Sequence, residues 1–206
     1  MISRVQGKTL TGEIAVKKLP KLSALEKAML KWAVVDPDDR LLDANIGTGI
    51  MAEYLRRNMQ CEVCGVSDNM ESVRAARSRL QNCDIVYAAP GDIPWREDAF
   101  DTVLMKYGGE EDVVFHRMLS EAGRVLRPGG QLILGATCYP AALHALAVVL
   151  APDSLEERQP FHRAEITCML ESCAFERITW QRTGFATGVL IAWKRKPEVD
   201  ELRCTG

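Results

Sequence analysis

Apolar positions along this chain switch repeatedly between two periods. Short runs such as "RLLDA", "CEVCGVS", "CDIVYAA", "FDTVLMKY" and "QLILGATC" have the length of buried strands. Between them, apolar residues return every three or four positions, as on one face of a helix. In "SALEKAMLKWAVV", Ser23 and Glu26 have capping-box spacing, and Leu25, Met29 and Trp32 share a face. "GIMAEYLRRN" turns Ile50, Met51, Tyr54 and Leu55 inward, and "NMESVRAARSRL" does so with Val73, Ala76 and Leu80 behind an Asn69 cap. "EEDVVFHRMLSEAGRVLR" carries Phe115, Met118, Leu119, Ala122, Val125 and Leu126 on one stripe, and Pro128-Gly129-Gly130 stops it. Two further helical stretches are predicted at residues 141–150 and 164–175. The chain closes with "ERITWQR" and "GVLIAWKRK", joined by "TGFATG", a link short enough for an antiparallel pair.

Strands alternating with helices predict a parallel sheet covered on both faces. Right-handed crossovers then place the turn at residues 43–49 beside the topological switch point, where open α/β sheets hold ligands. Residues 1–21 are polar, basic and aperiodic, and are expected to form an arm or lid. Residues 22–197 form one domain, and residues 198–206 a tail.

Bulk composition narrows the function. The 206 residues are 47% hydrophobic and 26% charged, enough for a full core. A net charge of -2 and a pI near 6.0 give no general attraction to nucleic acid or to an anionic membrane. Seven cysteines without a regular framework fit a reducing compartment. "CEVC" has C-x-x-C spacing, but no second pair completes a zinc site, so Cys61 and Cys64 are read as buried thiols and no metal is expected. "MISRVQGKTLTGEIAV" has no signal-peptide apolar core, and the longest apolar run is too short to span a bilayer. A soluble cytoplasmic protein is expected. Nothing in the sequence sets its oligomeric state.

The turn "DANIGTG" carries the chemistry. One glycine in such a turn makes the bend, one admits a ligand to the backbone, and one lets helix and strand pack closely. Gly47 and Gly49 are present, with Asn45 in the first place, where its tolerance of positive φ is expected to keep the bend. A dinucleotide fingerprint counted from Asn45 would put its last glycine at Ile50, so the spacing disfavours NAD. "DANIGTG", "FDTV", "RVLRPGG" and "CMLESCAFERI", in that order, resemble the class I S-adenosylmethionine-dependent methyltransferases of small molecules. The likeness runs from Ser23 to Lys196. The alternation and the final hairpin, beside this resemblance, lead us to expect a single Rossmann-like, doubly wound sheet. It should have seven strands in the order 3-2-1-4-5-7-6, with only the last antiparallel.

The resemblance implies S-adenosylmethionine as cofactor. It would be held by Asp43, Asn45, Gly47 and Gly49 around the turn, by Lys106 at the end of the fourth strand, and by residues following the second and third strands. The family places a ribose-binding acid at the end of its second strand. Here Ser67 stands in that place and Asp68 follows one step later. The acid before the family's adenine-side loop aligns with Ala89, with Asp92 three residues on.

Methyl transfer needs alignment more than covalent help. Tyr107, at the end of the fourth strand, is the candidate for lining the transfer site, with packing as its alternative role. Tyr139 follows the fifth strand. His116 shares a polar helix face with Asp112 and Ser120 and is read as a surface residue. His144 and His162 lie where the family often covers its substrate. Glu110 and Glu111 suit a helix start. The expected function is methyl transfer to a small molecule, with neither nucleic acid nor membrane as partner. The alternative is a non-catalytic methyltransferase-like protein, acting as a ligand sensor or partner subunit.

Overall fold

The sheet grows outward from β1 (Arg40–Asp43), whose two central leucines point to opposite faces. A computed structural model describes residues 22–89, 91–108, 111–137, 163–183 and 187–197. Around β1 lie β2 (Glu62–Ser67), β3 (Ile85–Tyr87), β4 (Phe100–Tyr107), β5 (Leu126–Thr137), β6 (Phe175–Arg182) and β7 (Thr187–Lys194). Their order is β3-β2-β1-β4-β5-β7-β6. β7 alone runs antiparallel, pairing with β5 through Ile133↔Ile191 and with β6 through Thr179↔Ile191. The expected fold is therefore the observed one.

Five helices flank the sheet among the described residues: α1 (Ala24–Trp32), α2 (Ile50–Met59), α3 (Met70–Arg79), α4 (Asp112–Val125) and α5 (Arg163–Ser172). Period-2 alternation divides the core. Leu41 and Leu104 join Met29, Leu55 and Val73 on the face of α1–α3, whereas Leu42 and Met105 join Phe115, Leu119 and Phe175 on the face of α4 and α5. Each such fully buried side chain contributes about 1.5–3 kcal/mol.

Two helix starts, those of α1 and α3, follow their capping chemistry. Ser23 and Glu26 form the full capping box, and Asn69 accepts the Ser72 N–H at 2.9 Å. α4 begins at Asp112 with Glu111 as its cap position, slightly later than expected. It also ends before Leu126, which pairs with Phe100 instead of extending the helical stripe. The backbone before Pro128 is disfavoured in the helical region, so the chain is already extended there. At the sheet edge, Arg77 donates two bonds to the Ile85 carbonyl, at 2.9 and 2.6 Å.

The arm at 1–21, the tail at 198–206, the helix at 141–150, Glu110, Tyr139, His144 and His162 lie outside the described residues. Among the described residues, no helix is long and apolar enough to cross a membrane.

Candidate functional site

The turn after β1 is sewn to both neighbouring strands by its backbone. Ala44 N–H donates to Leu104 O at 2.8 Å, and Ile46 N–H donates to Val66 O at 3.2 Å. Two glycines then take left-handed φ, Gly47 at 53° and Gly49 at 76°. A Cβ on Gly47 would meet only Asn45 O, at 3.9 Å, so this side is open to a ligand. A Cβ on Gly49 would stand 3.1–3.2 Å from Leu80 and Ala76, so this glycine serves the packing of α3.

Asn45 departs from its expected role. It is not among the positive-φ residues, so the bend needs no left-handed residue at that place. Its side chain acts instead: Oδ1 accepts the Lys106 N–H at 2.9 Å, binding the turn to the end of β4.

Asp43 is completely buried at the end of β1. Its Oδ1 accepts the Asn45 N–H at 3.3 Å, and Oδ2 has no hydrogen-bond partner among the described residues. Burial pushes its carboxyl up to about 6, with nearby Glu26 adding to the rise, although the Lys106 charge and the Asn45 N–H oppose it. Lys106 Nζ lies 3.4 Å from Glu26 Oε1. Burial raises the Glu26 carboxyl, but hydrogen bonds from Ser23 and the Lys106 ammonium more than offset this and hold it below the usual range.

A cavity of about 320 Å³ opens beside the turn, within the usual range for small-molecule sites. Asn45 and Gly47 line one side, Ser67 and Asp68 a second, and Ala89, Met105 and Met118 are also in its wall. Ser67 Oγ accepts the Asn69 N–H at 3.1 Å, so this hydroxyl is already engaged. Asp68 lies just past the last residue of β2, where strict alternation no longer applies. It reaches the same cavity and makes no hydrogen bond or ion pair with a described residue. Asp43, Gly49, Lys106 and Asp92 are not in the lining. Asp92 is exposed, and its N–H closes a turn on Ala89 O at 3.1 Å.

The wall formed by Gly91 and Ile93 is fastened by residues that the sequence did not single out. Glu121 Oε2 accepts the Ile93 N–H at 3.1 Å, while Arg124 donates to Ile93 O and Trp95 O, each at 2.8 Å, and to Glu121. The only available signal was an i,i+3 acid–arginine pair on an amphipathic helix.

Tyr107 is half-buried, with its ring edge-on to Phe115 at a centroid distance of 4.6 Å, and is not in the cavity lining. His116 is exposed, with Nε2 3.1 Å from Ser172 Oγ on α5. Cys61 and Cys64 are buried thiols.

Residues 42–134 match the family described as methyltransferase domain. The demethylmenaquinone methyltransferase of Tropheryma whipplei is 25% identical over 194 residues, covering 84% of this chain and 81% of that protein. That of Corynebacterium urealyticum is 29% identical over 178 residues, covering 76% and 74%. These matches support a class I S-adenosylmethionine-dependent methyltransferase family for this chain. At the level of fold, a methyltransferase solved in complex with the Haloferax volcanii Trm112 methyltransferase activator superposes with a TM-score of 0.70 at 18% identity, covering 84% of this chain and 89% of that one.

The residues present fit the cofactor of the matched family. The open side of Gly47 permits close backbone approach. Asp68 follows the first turn at about the twenty-residue distance where ribose-binding acids stand in nucleotide folds. The apolar Met105, Ile93 and Met118 suit a base, and Oδ2 of Asp43, outside the lining, is a buried acceptor with no partner among the described residues.

Proposed function

We propose that the chain transfers a methyl group from S-adenosylmethionine, bound in the cavity beside Gly47, to a small aromatic acceptor of the quinone type. When bound, the sulfonium supplies an activated methyl and a good leaving group. What the protein contributes is alignment and exclusion of water. The names of the two demethylmenaquinone methyltransferases support the acceptor class.

The observation that carries this reading is the free carboxylate of Asp68 in the same cavity as the open face of Gly47. An acid at this place can accept both ribose hydroxyls, a job that the engaged Ser67 hydroxyl cannot do. Asp43, Asn45 and Lys106 would serve the other end of the cofactor, and Asp92 would stay outside. Tyr107, at the C-terminal end of β4, would lie toward the acceptor, with its ring steadied by Phe115. Residues 22–197 would make up the working domain.

Calorimetry with S-adenosylmethionine and S-adenosylhomocysteine, on protein freed of copurified ligand, tests the reading. Loss of charged hydrogen bonds at about 1.5–3 kcal/mol predicts that Asp68→Ala weakens binding by about 10–100-fold. Asp92→Ala should leave it unchanged. Absence of binding by the unaltered protein would favour a sensor or partner-subunit role instead.

A further inference from the structure

We propose that the Asn45 carboxamide works on two sides: its oxygen locks the turn to β4, and its NH2 group donates to the carboxylate at the amino-acid end of the bound cofactor. This rests on the reading of the cavity as the S-adenosylmethionine site.

The hydrogen bond to Lys106 orients the amide. A backbone N–H needs an acceptor, so the oxygen faces β4 and the NH2 half is turned away from it. That NH2 has no partner among the described residues, and Asn45 lines the cavity. Next to it, the Asn45 backbone N–H occupies only Oδ1 of Asp43, leaving Oδ2 unpartnered although the residue is wholly buried. An uncommitted donor thus stands two residues from an uncommitted acceptor. Within the cofactor, only the amino-acid end offers the complement, a carboxylate beside an ammonium. A glycine at position 45, as in the family motif, has no side chain for either task. Asn45 is then a second way of holding the ligand, gained where a glycine is absent.

Two substitutions separate the two tasks. Asn45→Asp keeps an acceptor for the Lys106 N–H but replaces the donor with a negative charge. Asn45→Gly removes both. Two ligands separate the ends of the cofactor: S-adenosylhomocysteine carries the amino-acid end, and 5′-methylthioadenosine lacks it.

In calorimetry, Asn45→Asp should weaken S-adenosylhomocysteine by about tenfold or more and methylthioadenosine by no more than about twofold. Asn45→Gly should also weaken S-adenosylhomocysteine. In hydrogen exchange without ligand, the Lys106 amide should be faster in Asn45→Gly and unchanged in Asn45→Asp. Equal losses for both ligands in Asn45→Asp would overturn the donor role, as would full S-adenosylhomocysteine affinity in Asn45→Gly. Unaltered Lys106 exchange in Asn45→Gly would overturn the lock. If the unaltered protein binds neither ligand, the cofactor reading itself fails and the donor role falls with it, while the exchange result still decides the lock.

Discussion

Arg124 on α4 donates to the carbonyl oxygen of Ile93 at 2.8 Å, so a helix that takes no direct part in the glycine turn sets the far wall of the cavity. The same guanidinium holds Trp95 O and Glu121, and Glu121 accepts the Ile93 N–H.

Removing Arg124 should therefore loosen a wall more than a core. We expect Arg124→Ala to raise the dissociation constant for S-adenosylhomocysteine about tenfold while the fold persists, since charged hydrogen bonds contribute about 1.5–3 kcal/mol each. Arg124→Lys should recover little, because an ammonium lacks the fork that grips several carbonyls at once. Titration calorimetry beside thermal melts checks this. A lower melting temperature with unchanged affinity would make the grip purely structural.

The two turn glycines should respond differently. Gly49→Ala combines a left-handed φ with contacts at 3.1–3.2 Å to Leu80 and Ala76. Gly47→Ala meets open space and carries only the backbone penalty of about 1–2 kcal/mol. Chemical denaturation should find Gly49→Ala the less stable protein, whereas Gly47→Ala should lose more ligand affinity for each unit of stability lost. Equal stability of the two would contradict the division of roles.

Asp43 predicts a pH signature. Burial raises its carboxyl from 3.8 to about 6. Between those values the folded state keeps a proton that the unfolded chain has released, so this group's contribution to stability falls as pH rises and levels off above about 6. The deficit reaches on the order of 3 kcal/mol by pH 8 and about half that at pH 5. In ligand-free protein, Asp43→Asn should thus stabilise more at pH 8 than at pH 5, measured by denaturant unfolding at both. A gain larger at pH 5 would reverse the sign and refute the burial argument.

The cysteines offer a chemical check on the core. Burial pushes the Cys61 thiol up to about 11 and the Cys64 thiol up to about 12, while Cys168 is exposed on α5. Iodoacetamide at pH 8 should label Cys168 well before either of the other two, which should react only as the protein unfolds. Early labelling of Cys64, read by peptide mass spectrometry, would mean that β2 opens locally.

Much of the fold was legible because apolar period marks the elements and, at α1 and α3, capping agrees with it. Ser23 with Glu26, and Asn69 with Ser72, announce their helices locally, and Leu41 with Leu42 mark a strand buried on both faces. The site was less legible, since its geometry depends on partners distant in sequence. Asn45 reads as an imperfect glycine until Lys106, sixty-one residues away, supplies an N–H to its side chain. Asp68 reads as one step out of place until β2 is seen to end at Ser67. Glu121 and Arg124 look like an ordinary helical ion pair, because nothing local tells that the Ile93 backbone lies against them.

The Arg77 fork on the Ile85 carbonyl bears on how copies of this protein meet one another. β3 is only three residues long and forms one border of the sheet, where a second chain could otherwise continue the ladder. With that carbonyl already engaged by a charged side chain from its own molecule, an incoming strand finds one acceptor fewer and a cation in its path. Crowded solutions should then favour separate particles over fibrils at this border, and replacing Arg77 with a small apolar residue should be the quickest route to making the protein sticky.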